Sequence, residues 1–300
     1  MIRKAIKSNK PNATFVVKED TEMMLFLIAS LPQKNRNNIK TLMKEKHVTV
    51  NGVVQTHAKH PLKSGQKVEV HWNPIPQAKQ FHDITIVHED DDIIVIDKHA
   101  GILSVATDKE KRETAYSILS THVKQAHFEN KIFIVHRLDR DTSGLMVYAK
   151  TAKAKEWLQK NWNTCVQERS YLAIVEGKVA KEEGTIKSYL KETSALMVYS
   201  SQNPAHGVLS ITHFKVLQRS SRYTMLKVDL ETGRKNQVRV HMQDIKHPII
   251  GDKKYGAKTD PVARLGLHAY ILAFTHPITG KPMRFQTPLP RKFTRLFKEN

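Results

Sequence analysis

The sequence predicts an α+β protein: a large domain built on a mostly antiparallel sheet with flanking helices, preceded by a small α/β domain. Three observations predict it. From Ile84 onward, β-branched and aromatic runs bounded by turn residues dominate the chain. Helical patterns are scattered among those runs. Before them, Asn73-Pro74-Ile75-Pro76-Gln77-Ala78 places two prolines at alternate positions, which favours an extended linker and stops a helix or a central strand. The expected domains are residues 1–75 and 80–300.

Composition narrows the partners. The chain has 300 residues, with 49 Lys+Arg against 29 Asp+Glu, a formal charge of +20, and it is 40% hydrophobic. Those values describe an ordinary globular protein whose partner is a polyanion. Residues 1–75 alone carry a net charge of +8, which marks them as a nucleic-acid module. The apolar run Met23–Ala29 is far too short to span a bilayer, so no membrane role is expected. Cys165 is the single cysteine, which removes any intramolecular disulfide. A cytoplasmic monomer is expected.

In the first segment, Asn38 to Lys44 predicts a helix, because Ile39, Leu42 and Met43 recur at i, i+3, i+4. Lys40 and Lys44 lie on its other face, with Arg36 just ahead. His47 to Val54 predicts two short strands around Asn51-Gly52, a hairpin signal. Leu62 to Val70 adds another turn and strand. A basic helix beside a small hairpin is a compact surface for phosphates, although a lone lysine face is commonly only solvated. In the second segment, Ile93–Asp97, Ile132–Val135, Leu145–Ala149, Tyr171–Val175 and Tyr223–Val228 predict strands. Ala152 to Trp162 predicts a helix capped by Thr151. Asn236 to Ile245 predicts another, with Val238, Met242 and Ile245 on one face.

The stretch with most chemistry is His136-Arg137-Leu138-Asp139-Arg140-Asp141-Thr142-Ser143-Gly144. It joins two apolar strands, so it is a loop on a rigid scaffold, where sites tend to lie. Cations around Asp139 keep a carboxylate ionised, as a nucleophile or base requires. From the residues alone, a structural Arg–Asp network fits the loop equally well. Asp139 and Asp141 point to opposite sides of an extended segment, which argues against a paired-carboxylate site.

This loop resembles the H-R-L-D-x-x-T-S-G signature of the RluA-type pseudouridine synthases, with every fixed position present. Arg169-Ser170-Tyr171-Leu172-Ala173-Ile174-Val175-Glu176-Gly177 resembles the tyrosine strand of that family. Glu231-Thr232-Gly233-Arg234-Lys235-Asn236-Gln237-Val238-Arg239-Val240-His241 resembles its T-G-R-x-x-Q-x-R-x-H motif, and Gly251-Asp252, Tyr255-Gly256 and Leu267-His268-Ala269 its closing motifs. The resemblance covers about residues 80–300. The first segment, from Asn35-Arg36 through Gly52, resembles the alpha-L RNA-binding module, S-four-like, that precedes many of these enzymes. Departures are Glu22-Met23-Met24 for the usual opening, Lys46 at a customary glycine, no proline after Lys98, and Asn236 where His is frequent.

The resemblance implies a pseudouridine synthase fold and the isomerisation of uridine to pseudouridine in structured RNA. Ribosomal RNA is favoured and transfer RNA is the other candidate. It implies Asp139 as nucleophile or base, Tyr171 as proton acceptor at the 5-carbon of the base, and Arg234 as the ion-pair partner of Asp139. Arg137 would fill the stack that an extruded base leaves. Arg36, Lys40, Lys44 and Lys46 would touch phosphates. His136, Gln237, His241 and His268 would hold loops. The isomerisation has no net redox or hydrolytic step, so no cofactor and no metal are expected. His57 and His60, the one close histidine pair, read as turn residues. The alternative is a non-catalytic RNA-binding or ribosome-assembly protein on the same scaffold. Joint retention of Asp139, Tyr171 and Arg234 favours the enzyme.

Overall fold

The computed structural model describes residues 13–45, 47–51, 53–71, 81, 83–107 and 113–297. The chain divides into two compact units, Met1–Gln77 and Ala78–Asn300. The prolines of the expected linker, Lys46 and the turn glycine Gly52 lie outside the described residues.

The first unit contains β1 (Ala13–Val16), β2 (Thr21–Glu22), α1 (Met23–Ser30), α2 (Arg36–Lys44), β3 (Val48–Val50), β4 (Val53–Val54), β5 (Pro61–Leu62) and β6 (Lys67–Val70). A four-stranded antiparallel sheet runs β1-β6-β3-β4, and β2 pairs separately with β5. Asn35 caps α2: its side chain accepts from the Asn38 backbone N–H at 2.8 Å. Ile39 and Met43 of α2 are buried, as their spacing predicts. Arg36, Lys40 and Lys44 recur every four residues, and all three are exposed. The β3–β4 turn puts Asn51 at φ 48°, a left-handed conformation that asparagine tolerates. The apolar run from Met23 becomes α1, which buries Met23, Met24 and Leu27 against Ile39, Val48 and Val68.

The second unit contains β7 (Ile84–Glu89), β8 (Ile93–Lys98), α3 (Ala115–Ala126), β9 (Phe133–Ile134), β10 (Ser143–Ala149), α4 (Ala152–Cys165), β11 (Val166–Glu176), β12 (Glu183–Glu192), β13 (Val198–Ser201), β14 (Val208–Arg219), β15 (Tyr223–Leu230), α5 (Gln237–Asp244), β16 (Leu267–Thr275), β17 (Pro282–Gln286) and α6 (Arg291–Thr294). One sheet runs β13-β12-β14-β15-β11-β16-β10-β8-β7, with β17 on β16 and β9 on β10. Among the described residues its only parallel pair is β10 with β16, so the sheet is mostly antiparallel. β8 and β10 read as continuous apolar runs because both of their faces are covered. Ile94, Ile96, Met146 and Tyr148 pack with Leu119 of α3. The alternate residues Ile93, Val95, Leu145 and Val147 pack with Leu158 of α4.

β10 and β16 approach closely where Ser143 pairs with His268 and Gly144 with Ala269. Gly144 has φ 115°, and a Cβ there would lie 2.2 Å from the Ala269 carbonyl oxygen. Only glycine satisfies both demands. This crossing anchors the loop that carries Asp139 beside the strand that carries Tyr171, since β11 pairs with β16 on its other side. Among the described residues, no helix is long and apolar enough to cross a membrane.

Candidate active site

Asp139 lies in the loop before β10, and that loop is stitched to the segment following β8. The Ser104 hydroxyl donates to the Leu138 carbonyl at 2.7 Å and accepts from the Leu138 N–H at 3.1 Å. On the other side of Asp139, the Arg140 carbonyl accepts from Lys98 Nζ at 2.9 Å and from the Gly101 N–H at 2.9 Å. The residues before and after Asp139 are therefore both held. Lys98 is fully buried, and its Nζ also donates to the carbonyls of His99 and Ile102. Burial lowers its pKa to about 7, against the attraction of Asp141 and Asp139. Three carbonyl acceptors need three N–H donors, which only the ammonium form supplies.

Asp139, Tyr171, Arg137 and Arg234 line one open cavity of about 230 Å³, together with Lys235 and Arg239. All three residues expected to be catalytic thus meet. Their partners differ from expectation at one position. The guanidinium beside Asp139 is that of Arg239, 4.0 Å from its carboxylate. Arg234 lines the cavity without an ion pair to Asp139. The reason is local geometry: Arg239 lies on α5, and Asp252 grips it from behind. Arg239 Nε and Nη2 donate to the two Asp252 carboxylate oxygens, each at 2.7 Å. Its Nη1 donates to Asn236 Oδ1 at 3.2 Å, and its guanidinium lies over the Tyr255 ring, 4.9 Å from the centroid. A bidentate grip fixes the plane of the guanidinium, leaving Nη1 toward Asp139. Arg234 instead stands in the exposed turn before α5, where its backbone N–H donates to Gln237 Oε1.

The electrostatics also depart from expectation. Burial raises the Asp139 pKa above the ordinary carboxylate value, and Arg239, Arg137, Lys235 and Lys98 pull it back only in part. Cations surround the carboxylate as expected, but desolvation outweighs them. Burial likewise raises Tyr171, with Asp139 adding to the rise and Arg169 opposing it. Tyr171 pairs through its backbone with Val228 on β15 and Ala269 on β16, and its side chain packs against the core clusters on either side of the strand.

The loop-holding residues act through hydrogen bonds. Gln237 accepts from Thr232 Oγ1 and from the Arg234 N–H, and its amide donates to the Ile211 carbonyl and to Thr212 Oγ1. His241 lies between Ser188 and Thr212, and burial lowers its pKa to about 4. His268 lies between Ser143 and Thr287 at 2.7 Å each, and burial with the Arg264 charge takes it to about 3. His136 accepts the Val147 N–H at 3.1 Å, so its proton is on Nδ1. Burial holds it neutral at pKa about 3. His57 and His60 close a turn, with the His60 N–H donating to the His57 carbonyl. In the first unit, Arg36, Lys40 and Lys44 share the exposed face of α2, and Lys46 is outside the described residues.

Arg239, Asp252, Lys98 and Ser104 were not singled out from the sequence. Arg239 and Asp252 stand inside quoted motifs, but only the fold shows that these residues, 13 apart in sequence, come together. Asp90, Asp92 and His276 are the described residues whose ligand atoms cluster as metal ligands would. His276 Nδ1 accepts two backbone N–H groups, from Ile278 and Thr279, so its proton is on Nε2, facing Asp90. A metal on Nε2 would need that nitrogen free of its proton, so this trio fits a hydrogen-bonded corner instead.

The family model described as RNA pseudouridylate synthase matches residues 92–244, a span that includes Asp139, Tyr171 and Arg239. The chain is 32% identical over 283 residues to a ribosomal large subunit pseudouridine synthase D of Pasteurella multocida, covering 88% of this chain and 86% of that protein. It is 33% identical over 285 residues to the uncharacterized RNA pseudouridine synthase YlyB of Bacillus subtilis, covering 91% and 92%. The structure of human RNA pseudouridylate synthase domain containing 4 superposes with a TM-score of 0.58 at 22% identity, over 70% of this chain and 90% of that one, a likeness of fold. The chain belongs to the RNA pseudouridine synthase family, of the RluA type, whose members are isomerases that convert uridine to pseudouridine in RNA.

Proposed function

We propose that this chain isomerises uridine in ribosomal RNA, with Asp139 as the reacting carboxylate and the first unit as an alpha-L type RNA-binding module. The observation that carries this reading is the convergence of Asp139 and Tyr171 on one cavity, with Arg239 aimed at Asp139 by the buried Asp252. Isomerisation breaks the bond from the ribose 1′-carbon to the base nitrogen and joins that carbon to C5 of the base. A proton must leave C5 and the ring nitrogen must gain one. Asp139 acts as nucleophile or base, Arg239 keeps it ionised when catalysis needs it, and Tyr171 relays the C5 proton, its oxygen taking that proton up as its own hydroxyl proton passes to water. Arg234, exposed at the rim, meets the RNA backbone, and Arg137 takes the place of the extruded base.

Ribosomal RNA is favoured because relatives over nearly the whole chain carry that substrate in their names. The buried single cysteine supports a cytoplasmic location. Pseudouridine mapping of RNA from cells that lack the protein tests the reading. The expected result is loss of a pseudouridine, restored by wild-type protein and not by Asp139→Asn. Restoration by that variant, or a lost site in transfer RNA alone, would reject the carboxylate or the substrate respectively. Turnover is expected to survive exhaustive EDTA treatment, and an EDTA-sensitive chemical step would show a metal.

A further inference from the structure

A second cavity of about 400 Å³ adjoins the first, and Tyr171, Arg137 and Arg234 line both. Its own lining adds Trp162, Asn163 and Arg169. The size suits one nucleoside. Trp162, in the last turn of α4, is a half-buried indole stacked on the His136 imidazole, with centroids 4.6 Å apart and planes at 30°. Arg169, from β11, lies so close to the turn before α5 that a Cβ at Gly233 would be 2.5 Å from its Nη1. Its Nη2 reaches the Leu230 carbonyl at 3.5 Å. The one carboxylate in the lining, Glu231, is paired with His213 at 3.1 Å. His136 is held neutral, so the cavity's positive charge resides in its three guanidinium groups. An aromatic wall with a fixed arginine and an exposed amide is what an unpaired base and its phosphate need: stacking is sequence-tolerant, and a guanidinium meets phosphate or a base edge in plane.

We propose that this cavity binds the RNA nucleotide flanking the target uridine, its base against Trp162 and its phosphate on Arg169. The proposal deepens the reading above and rests on the Asp139 cavity taking the target. Two base sites sharing a wall would hold the target and its neighbour unstacked from one another, so recognition of the neighbour would help keep the target extruded.

The test measures affinity, using the full-length protein and two probes: a hairpin RNA with an all-uridine loop, and the same hairpin with the loop nucleotides beside the central uridine made abasic. Trp162→Leu should weaken binding of the first probe by about tenfold, the usual effect of losing one stacked base, and leave the second unchanged. Trp162→Phe, which keeps a ring, should stay close to wild type on both. Arg169→Gln should weaken both probes alike, because the phosphates remain. Equal binding of the first probe by wild type and Trp162→Leu, or an equal loss on both probes, would overturn the proposal. A Trp162→Leu protein that fails to fold leaves a measurement on the wild type. A probe with 4-thiouridine beside the target position should crosslink to the stretch around Trp162, and crosslinks confined to other segments would overturn it too. The outcomes separate cleanly: a vanished Trp162 effect with inactive Asp139→Asn removes the second site alone. An active Asp139→Asn enzyme removes the reading of the first.

Discussion

The two units use the same residue types in opposite ways. On α2 of the first unit, Arg36, Lys40 and Lys44 point into solvent in a regular row, each replaceable by its neighbour in an electrostatic sense. In the second unit, Lys98, Arg239 and Arg264 are sunk into the structure and hydrogen-bonded to named atoms. Lys98 meets three carbonyls, Arg239 meets Asp252 and Asn236, and Arg264 Nη2 donates to Ser143 Oγ at 2.7 Å. A surface row acts through the number of charges and is screened by salt. A buried cation acts through its direction, since its charge has cost desolvation already. Equal charge therefore does not mean equal sensitivity to mutation.

Mutations can break that comparison. The largest expected effect lies at the carboxylate beside Arg239. Asp139→Asn should leave no detectable turnover in a pseudouridine assay while RNA binding persists. Because burial penalises the native carboxylate, the variant should melt at or above the wild-type temperature. A clear drop in melting temperature would show that the carboxylate is a structural partner. Next, Arg239→Met should lower kcat by about a hundredfold. In the wild type the acid limb of kcat should lie above the ordinary carboxylate range, since ionised Asp139 is required and its pKa is raised. Removing Arg239 takes away the foremost charge opposing that rise, so the limb should move to still higher pH. A hundredfold loss without movement of the limb would separate Arg239 from Asp139.

Lys98→Met tests a buried cation away from the cavity, and should cost about 3 kcal/mol in stability by removing three hydrogen bonds from a buried site. The pH dependence has a definite sign. The native pKa of about 7 lies below the ordinary 10.5, so between those values the unfolded chain holds a proton that the native one has lost. Wild-type stability should therefore rise with pH across that window, and the Met variant should lack that contribution. The smallest effect belongs to the first unit. Replacing Arg36, Lys40 and Lys44 with Gln should flatten the plot of log affinity against log salt by roughly two units, at about 0.7 per single-strand phosphate contact. An unchanged slope would make the α2 row a solvated face.

Legibility in the sequence followed the range of the interactions. The α2 helix with its Asn35 cap, the β3–β4 hairpin, and the strands of the β8 and β10 runs were readable because their determinants lie within a few residues. The run from Met23 shows in the sequence only as apolar, since a helix hydrophobic all round has no stripe to show its period. The Ile132–Val135 run shortened to the two-residue β9, because edge pairing with β10 stops there. The meeting of Asp139, Tyr171 and Arg234 was anticipated through motif resemblance. The partner of Asp139 was not, because Arg234 and Arg239 stand five residues apart and only the grip of Asp252 shows which one turns inward. The raised Asp139 pKa was equally invisible: neighbouring cations can be counted in a sequence, but the desolvation opposing them cannot.

The Ser104 hydroxyl has a consequence for exchange with heavy water. It holds both the N–H and the carbonyl of Leu138, and its own backbone carbonyl accepts from Tyr148 OH at 3.0 Å. The Leu138 amide can meet deuterium only when that hydroxyl lets go, although it sits in a loop and pairs with no strand. Its exchange should consequently be as slow as that of amides in β10, and should track the opening of the sheet beneath it. Ser104→Ala would release the amide into the fast class typical of loops. Leu138 would then serve as a deuterium clock on the residue next to Asp139, readable in the resting protein without any RNA present.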